Sequence, residues 1–151
     1  MENKGMYHYT SSGLRNIWLR NGFDIKNTAY GKGVAIHDID GLHKMIGLNL
    51  VLNKPRLTGA EVRFLRKELD MPQAQLASLL GVGETSVRGW ENHRGRITKP
   101  AERLLRTLYN EFATGNTSVR ELIERIGKYN RDIYSNGMKL EETESGWATA
   151  A

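Results

Sequence analysis

Apolar residues in the middle of the chain recur at three- and four-residue intervals, and that spacing predicts a run of five helices. Val62, Leu65 and Leu69 form the stripe of the first. Leu76, Ala77 and Leu80 mark a second, and Val82, Val87 and Trp90 belong to a third. Ala77 is small where these two must approach closely, and Gly81 between them can take the positive φ that ends a helix. Thr58 and Glu61 are spaced as a capping box, in which each side chain satisfies a free backbone amide of the other. Thr98 with Pro100 opens a fourth helix carrying Ala101, Leu104, Leu105, Leu108 and Phe112, and Gly115 breaks it. Ser118 and Glu121 cap a fifth, with Val119, Leu122, Ile123 and Ile126 at helical spacing.

Residues 1–40 have a different texture, with glycine, asparagine and aromatics between short apolar runs. Val34 to Ile39 alternates as a strand does, while Asn16–Leu19 and Phe23–Ile25 read as two more strands turning at Asn21-Gly22. Asp40 then caps a helix to about Leu52, with Leu42, Met45, Ile46 and Leu50 on one side, and Asn53-Lys54-Pro55 ends it. After Asn136-Gly137, the stretch from Met138 to Trp147 is either a last strand docking on the N-terminal sheet or a loose acidic tail. The fold class is α+β: a small β-rich N-terminal domain with its connecting helix (1–53), a helical domain (54–115), and a C-terminal helix with an acidic tail or strand (116–151).

Composition narrows the function. The chain has 151 residues, enough for a core, and no cysteine, which excludes disulfides and thiolate metal sites. No stretch approaches the ~20 apolar residues of a membrane span, and MENKGMYHYT lacks a signal-peptide core, so a cytoplasmic protein is expected. The net charge is +5 and the pI about 9.6. From 88 to 106 there are six bases (Arg88, Arg94, Arg96, Lys99, Arg103, Arg106) against two acids (Glu91, Glu102). Beyond Lys139 only acids occur: Glu141, Glu142 and Glu144. The basic run suits a polyanion. His37, His43, Asp38 and Asp40 match no metal-ligand spacing, so no metal or other cofactor is expected. Tyr30-Gly31-Lys32-Gly33 lacks the phosphate-loop pattern and reads as a turn. No nucleophile, base and orienting group stand together, and an enzyme is not expected.

Residues 72–92, PQAQLASLLGVGETSVRGWEN, pack two short amphipathic helices around a glycine turn, and the second has a polar, mostly small outer face. The segment resembles the Xre/Cro family of bacterial and phage regulators through Gln73, Leu76-Ala77, Gly81 and Trp90-Glu91, with Arg66 one helix earlier at the family's offset for pairing with that glutamate. The likeness covers about residues 57–112 and implies a five-helix domain, similar to that of lambda repressor, that binds double-stranded DNA. The overall layout also resembles MqsA-type antitoxins, without the cysteines that hold their zinc.

By this resemblance Glu84, Thr85, Ser86, Arg88 and Gly89 face the bases of the major groove. Gln73, Asn92, His93, Arg94, Arg96 and Lys99 contact phosphates, and Arg66 with Glu91 is a structural pair. Gly89 departs from the family, which often has a long polar side chain there. The implied function is a sequence-specific transcriptional regulator, a repressor acting as a homodimer on a palindromic operator. Ile126, Tyr129 and Trp147 are candidates to seed the dimer. The alternative is an antitoxin-like module whose N-terminal domain binds a protein partner while the helix-turn-helix controls its own operon.

Overall fold

The structure, a computed structural model, describes residues 5–116, 118–127 and 140–149. Along the chain these form β1 (Tyr7–His8), β2 (Trp18–Leu19), β3 (Phe23–Thr28), β4 (Gly31–Ile36), α1 (Ile39–Asn53), α2 (Gly59–Glu68), α3 (Gln73–Leu80), α4 (Glu84–Glu91), α5 (Lys99–Thr114), α6 (Ser118–Gly127), β5 (Leu140–Thr143) and β6 (Gly146–Thr149). The fold is α+β, with six helices and small antiparallel sheets among the described residues.

The helical body follows from its caps and stripes. Thr58 and Glu61 form both halves of the capping box at α2, and the Glu61 carboxylate also accepts from Lys54 Nζ at 2.7 and 2.9 Å. Gly81 ends α3 at φ 70, where a side chain would be strained. Thr98 and Pro100 open α5 and Gly115 closes it. Val62, Leu65, Leu76, Val87 and Leu105 have no exposed surface and bring α2, α3, α4 and α5 to one core. Each such side chain contributes roughly 1.5–3 kcal/mol by burial.

The helix before this body sits differently from its sequence pattern. α1 buries Ile46, Gly47, Leu50 and Val51, while Met45 is 64% exposed. The reason lies in α5: a Cβ on Gly47 would strike the phenol of Tyr109, so the two helices meet at that glycine. Tyr109 is buried, and Phe112, expected in the stripe, is half exposed. Arg106 Nη1 and Nη2 donate to the carbonyls of Leu50, Val51 and Lys54 at 3.2, 3.0 and 2.6 Å, which satisfies the open C-terminal end of α1. The cap at the other end is Asp38, not Asp40. At φ 45 its carboxylate accepts from the Gly41 amide at 3.2 Å.

The strands also pair otherwise than expected. Asn21-Gly22 does not join β2 to β3. β2 pairs with β1, and β3 pairs with β4 from Phe23↔Ile36 to Thr28↔Gly31. Six residue pairs, including the apolar Phe23↔Ile36 and Ile25↔Val34, outweigh one favoured turn dipeptide. The turn lies at Ala29-Tyr30, where Thr28 Oγ1 donates to the Gly31 carbonyl at 2.6 Å and accepts from the Tyr30 amide. Tyr9 ties this segment to the body: its hydroxyl meets His43 Nε2 at 2.6 Å, and His43 Nδ1 meets Glu68 at 2.5 Å. His37 pairs with Asp24 at 2.7 Å, so the two histidines have separate partners.

At the start of α6, Asn116 Oδ1 accepts from the Ser118 amide and Glu111 Oε2 from that of Val119, so Ser118 is the first helical residue and its neighbours do the capping. The C-terminal segment is neither a strand on the N-terminal sheet nor a loose tail. β5 and β6 pair with each other in a sheet of their own. Tyr129, Met138 and the side chain of Ile126 lie outside the described residues. No described helix is long and apolar enough to cross a membrane.

Candidate nucleic-acid interface

α4 is fixed from beneath. Val87 and Trp90 are buried in the core, and Glu91 meets Arg66 of α2 in a two-pronged contact, Nε to Oε2 at 2.7 Å and Nη2 to Oε1 at 2.9 Å. The pair is almost wholly removed from solvent, where charge-assisted bonds are strong and loss of one partner is costly. Arg66 Nη1 reaches the Met71 carbonyl at 2.9 Å, and Gln73 Nε2 donates to Glu91 Oε1 at 3.2 Å. One network therefore joins α2, the start of α3 and the end of α4. Gln73, expected at a phosphate, has its amide partly engaged inside it.

The other side of α4 faces out. Glu84, Thr85, Ser86 and Arg88 are exposed and Gly89 is partly so. Arg88 Nη2 and Glu84 Oε1 form an i,i+4 pair at 3.2 Å with both side chains about half exposed. Such a pair is worth only ~0–1 kcal/mol, so it yields readily to a better partner for either charge.

Past α4 the chain turns on His93, a left-handed residue at φ 58, and the Arg94 amide donates to the Gly89 carbonyl at 2.9 Å. Ile97 is buried and pins the loop, and its carbonyl accepts from Arg56 Nη2 at 3.1 Å. Asn92, His93, Arg94, Arg96 and Lys99 are all exposed around this anchor. The guanidinium groups of Arg94 and Arg96 and the Lys99 ammonium have no ion-pair partner among the described residues.

The basic run is not uniform in three dimensions. Arg106 turns inward to buried Glu102, at 2.6 Å, and to the end of α1, so it is not available to an external anion. Arg103 is exposed, unpaired among the described residues, and four residues from Lys99, hence on the same helix face. Arg103 is not among the expected phosphate contacts, although its i,i+4 spacing from Lys99 sets the two side by side.

Residues 62–104 match a family model described as helix-turn-helix. They form a helix-turn-helix DNA-binding domain. The match begins inside α2 and ends inside α5, so it takes in the motif α3–turn–α4 and parts of the helices that pack on it, and none of the strands. No curated protein and no solved structure matches the chain.

Proposed function

We propose that the protein is a sequence-specific transcriptional repressor that places α4 in the DNA major groove and binds a palindromic operator as a homodimer. The observation that carries this is the division of α4 and its following loop. The buried side is locked by Trp90 and by the Arg66–Glu91 pair, while the polar outer side is continuous with Arg94, Arg96 and Lys99, exposed and without an ion-pair partner among the described residues. In this reading Glu84, Thr85, Ser86, Arg88 and Gly89 meet base edges, where donors and acceptors distinguish the base pairs. Asn92, His93, Arg94, Arg96 and Lys99, with Arg103, meet phosphates and set the register without reading sequence. Gln73 has a second amide hydrogen to give to a phosphate beside the start of α3 while Glu91 holds the first. A single recognition helix covers only a few base pairs, and two-fold dimers double the site, with half-sites about 34 Å apart.

The test is selection of bound sequences from a random duplex pool, followed by salt titration on the selected site. The expected result is a palindromic consensus and affinity that falls steeply with salt. Removing one phosphate-contacting cation should lower the log–log slope by about one. Recovery of no consensus, or affinity flat from low to physiological salt, would refute the reading.

A further inference from the structure

Two open surfaces of this chain have complementary chemistry. The first is a groove of about 790 Å³ between residues 13–19 and α1. Buried Leu14, Ile46 and Leu50 line it, with Trp18 and Met45, which are 40% and 64% exposed. The imidazole of His8 stacks on Trp18 with ring centroids 4.0 Å apart, so the indole is held in place. Arg15, also lining the groove, has a guanidinium with no ion-pair partner among the described residues. Scattered exposed apolar side chains are ordinary, but a groove joining them over an apolar floor is the form an interaction site takes.

The second surface is the β5–β6 hairpin. Its register sets Glu142 opposite Trp147 and Leu140 opposite Thr149, which puts Leu140, Glu142 and Trp147 on one face. Leu140 is 54% exposed and Trp147 73%, and every residue from 140 to 148 is exposed. A two-stranded hairpin with no core beneath it is marginal in water, so this one gains most of its stability from whatever it packs against. Between 140 and 149 the sequence has three acids and no base, which leaves the rest of the chain more basic than its total of +5. An apolar, acidic face therefore matches an apolar groove whose arginine has no ion-pair partner among the described residues.

We propose that the hairpin of one protomer docks in the groove of a second copy, with Trp147 and Leu140 over Met45 and Trp18 and Glu142 against Arg15, and that the second copy returns the contact. Both surfaces stand open in the single chain, and a reciprocal exchange closes under two-fold symmetry, the symmetry that a palindromic site requires. The twelve residues 128–139 between α6 and β5 span at most roughly 45 Å, enough to cross to a neighbour. The inference rests on the dimeric reading above and gives that dimer its interface.

Light scattering and sedimentation of the full chain test it. Wild type should dimerise, and Trp147→Ala and Met45→Glu should each weaken association by roughly thirtyfold or more, the loss expected for a central aromatic anchor or a charge placed against it. Met45 is exposed, so its substitution leaves the core intact. An equimolar mixture of the two variants should regain dimer, because one intact hairpin then meets one intact groove; neither variant does so alone. Both variants keep the recognition helix and should still bind a single half-site, so loss of DNA binding by wild type would count against the DNA reading and not against the interface. A monomeric wild type, dimers undiminished by both substitutions, or a mixture that stays monomeric would each overturn the exchange.

Discussion

The two faces of α4 differ in where their explanation lies. On the inner face every side chain has a reason within the molecule: Val87 and Trp90 fill the core, and Glu91 answers Arg66 and Gln73. On the outer face the side-chain contact among the described residues is the surface pair of Arg88 with Glu84; the Thr85 and Ser86 side chains make no hydrogen bond there, and a Cβ on Gly89 would meet nothing within 4 Å. A helix of eight residues is too short to be stable by propensity alone, so the inner face holds it in shape. The outer face is then free to be chosen for something outside the chain. The contrast implies that inner substitutions act on stability and outer ones on DNA.

The strongest test of that contrast is Trp90→Ala. Loss of this buried indole should destabilise the fold by roughly 3–5 kcal/mol, seen as a large drop in denaturation midpoint. If Thr85→Ala or Ser86→Ala melted early instead, and Trp90→Ala stayed folded, the two faces would be reversed.

Where α5 meets α1, Tyr109 gives a pH signature. Burial first, and the Glu68 carboxylate second, push its hydroxyl from 10.0 up to about 12. Tyr9 is shifted in the same direction, also chiefly by burial. A group that holds its proton more tightly when folded contributes stability in full below its unfolded value, and that contribution is lost as pH rises through the folded one. Stability should therefore fall between about pH 10 and pH 12, by at most ~2–3 kcal/mol for the Tyr109 contribution. Chemical denaturation across that range measures it, and Tyr109→Phe should flatten the decline. An equally steep decline in that variant would place its cause elsewhere.

What the sequence made legible was mostly what is local. The capping box at Thr58, the left-handed end at Gly81 and the helix limits at Thr98 and Gly115 are each set within a few residues. The exposure of 84–86 and 88 likewise follows from the amphipathic pattern of one helix. What could not be read depends on distant partners. Met45, expected on the buried side, is exposed while Gly47 is buried, because Tyr109, more than sixty residues on, packs against the glycine. β3 chooses β4 over β2 through a whole ladder of pairs, which no turn dipeptide encodes. Arg106 leaves the basic run because the end of α1 offers three carbonyls, and nothing in the charge pattern marks that.

On the outer face, Arg88→Ala, Thr85→Ala and Ser86→Ala should leave the melting transition within about 0.5 kcal/mol of wild type, as surface changes do. Where the residue makes a good base contact, specific binding should weaken by roughly 1–3 kcal/mol, with preference relaxed at one base pair. Arg94→Ala and Arg96→Ala should differ in kind, lowering affinity for all sequences alike and reducing the salt slope. Competition assays against a panel of singly altered sites separate the two patterns. Arg94→Ala changing preference at one position, with no change in salt slope, would assign that residue to a base.

The smallest expected effect is the most discriminating, because its two readouts have opposite signs. Gly89 lies inside a helix, where glycine costs roughly 0.5–1 kcal/mol relative to alanine. Its φ is not positive, and a Cβ there would meet nothing within 4 Å. Gly59 is the contrasting case: a Cβ there would run into the Trp90 carbonyl, so the interior of the chain accounts for that glycine. Nothing among the described residues accounts for Gly89. Gly89→Ala should therefore raise stability by about 0.5–1 kcal/mol while weakening specific DNA binding, because in the proposed docking the added methyl would stand between the helix and the duplex. Thermal melts and operator titrations on the same preparation give both numbers. A variant that is more stable and binds equally well would mean that DNA does not come close at Gly89, and the outer face would have to be rotated toward Glu84 and Arg88.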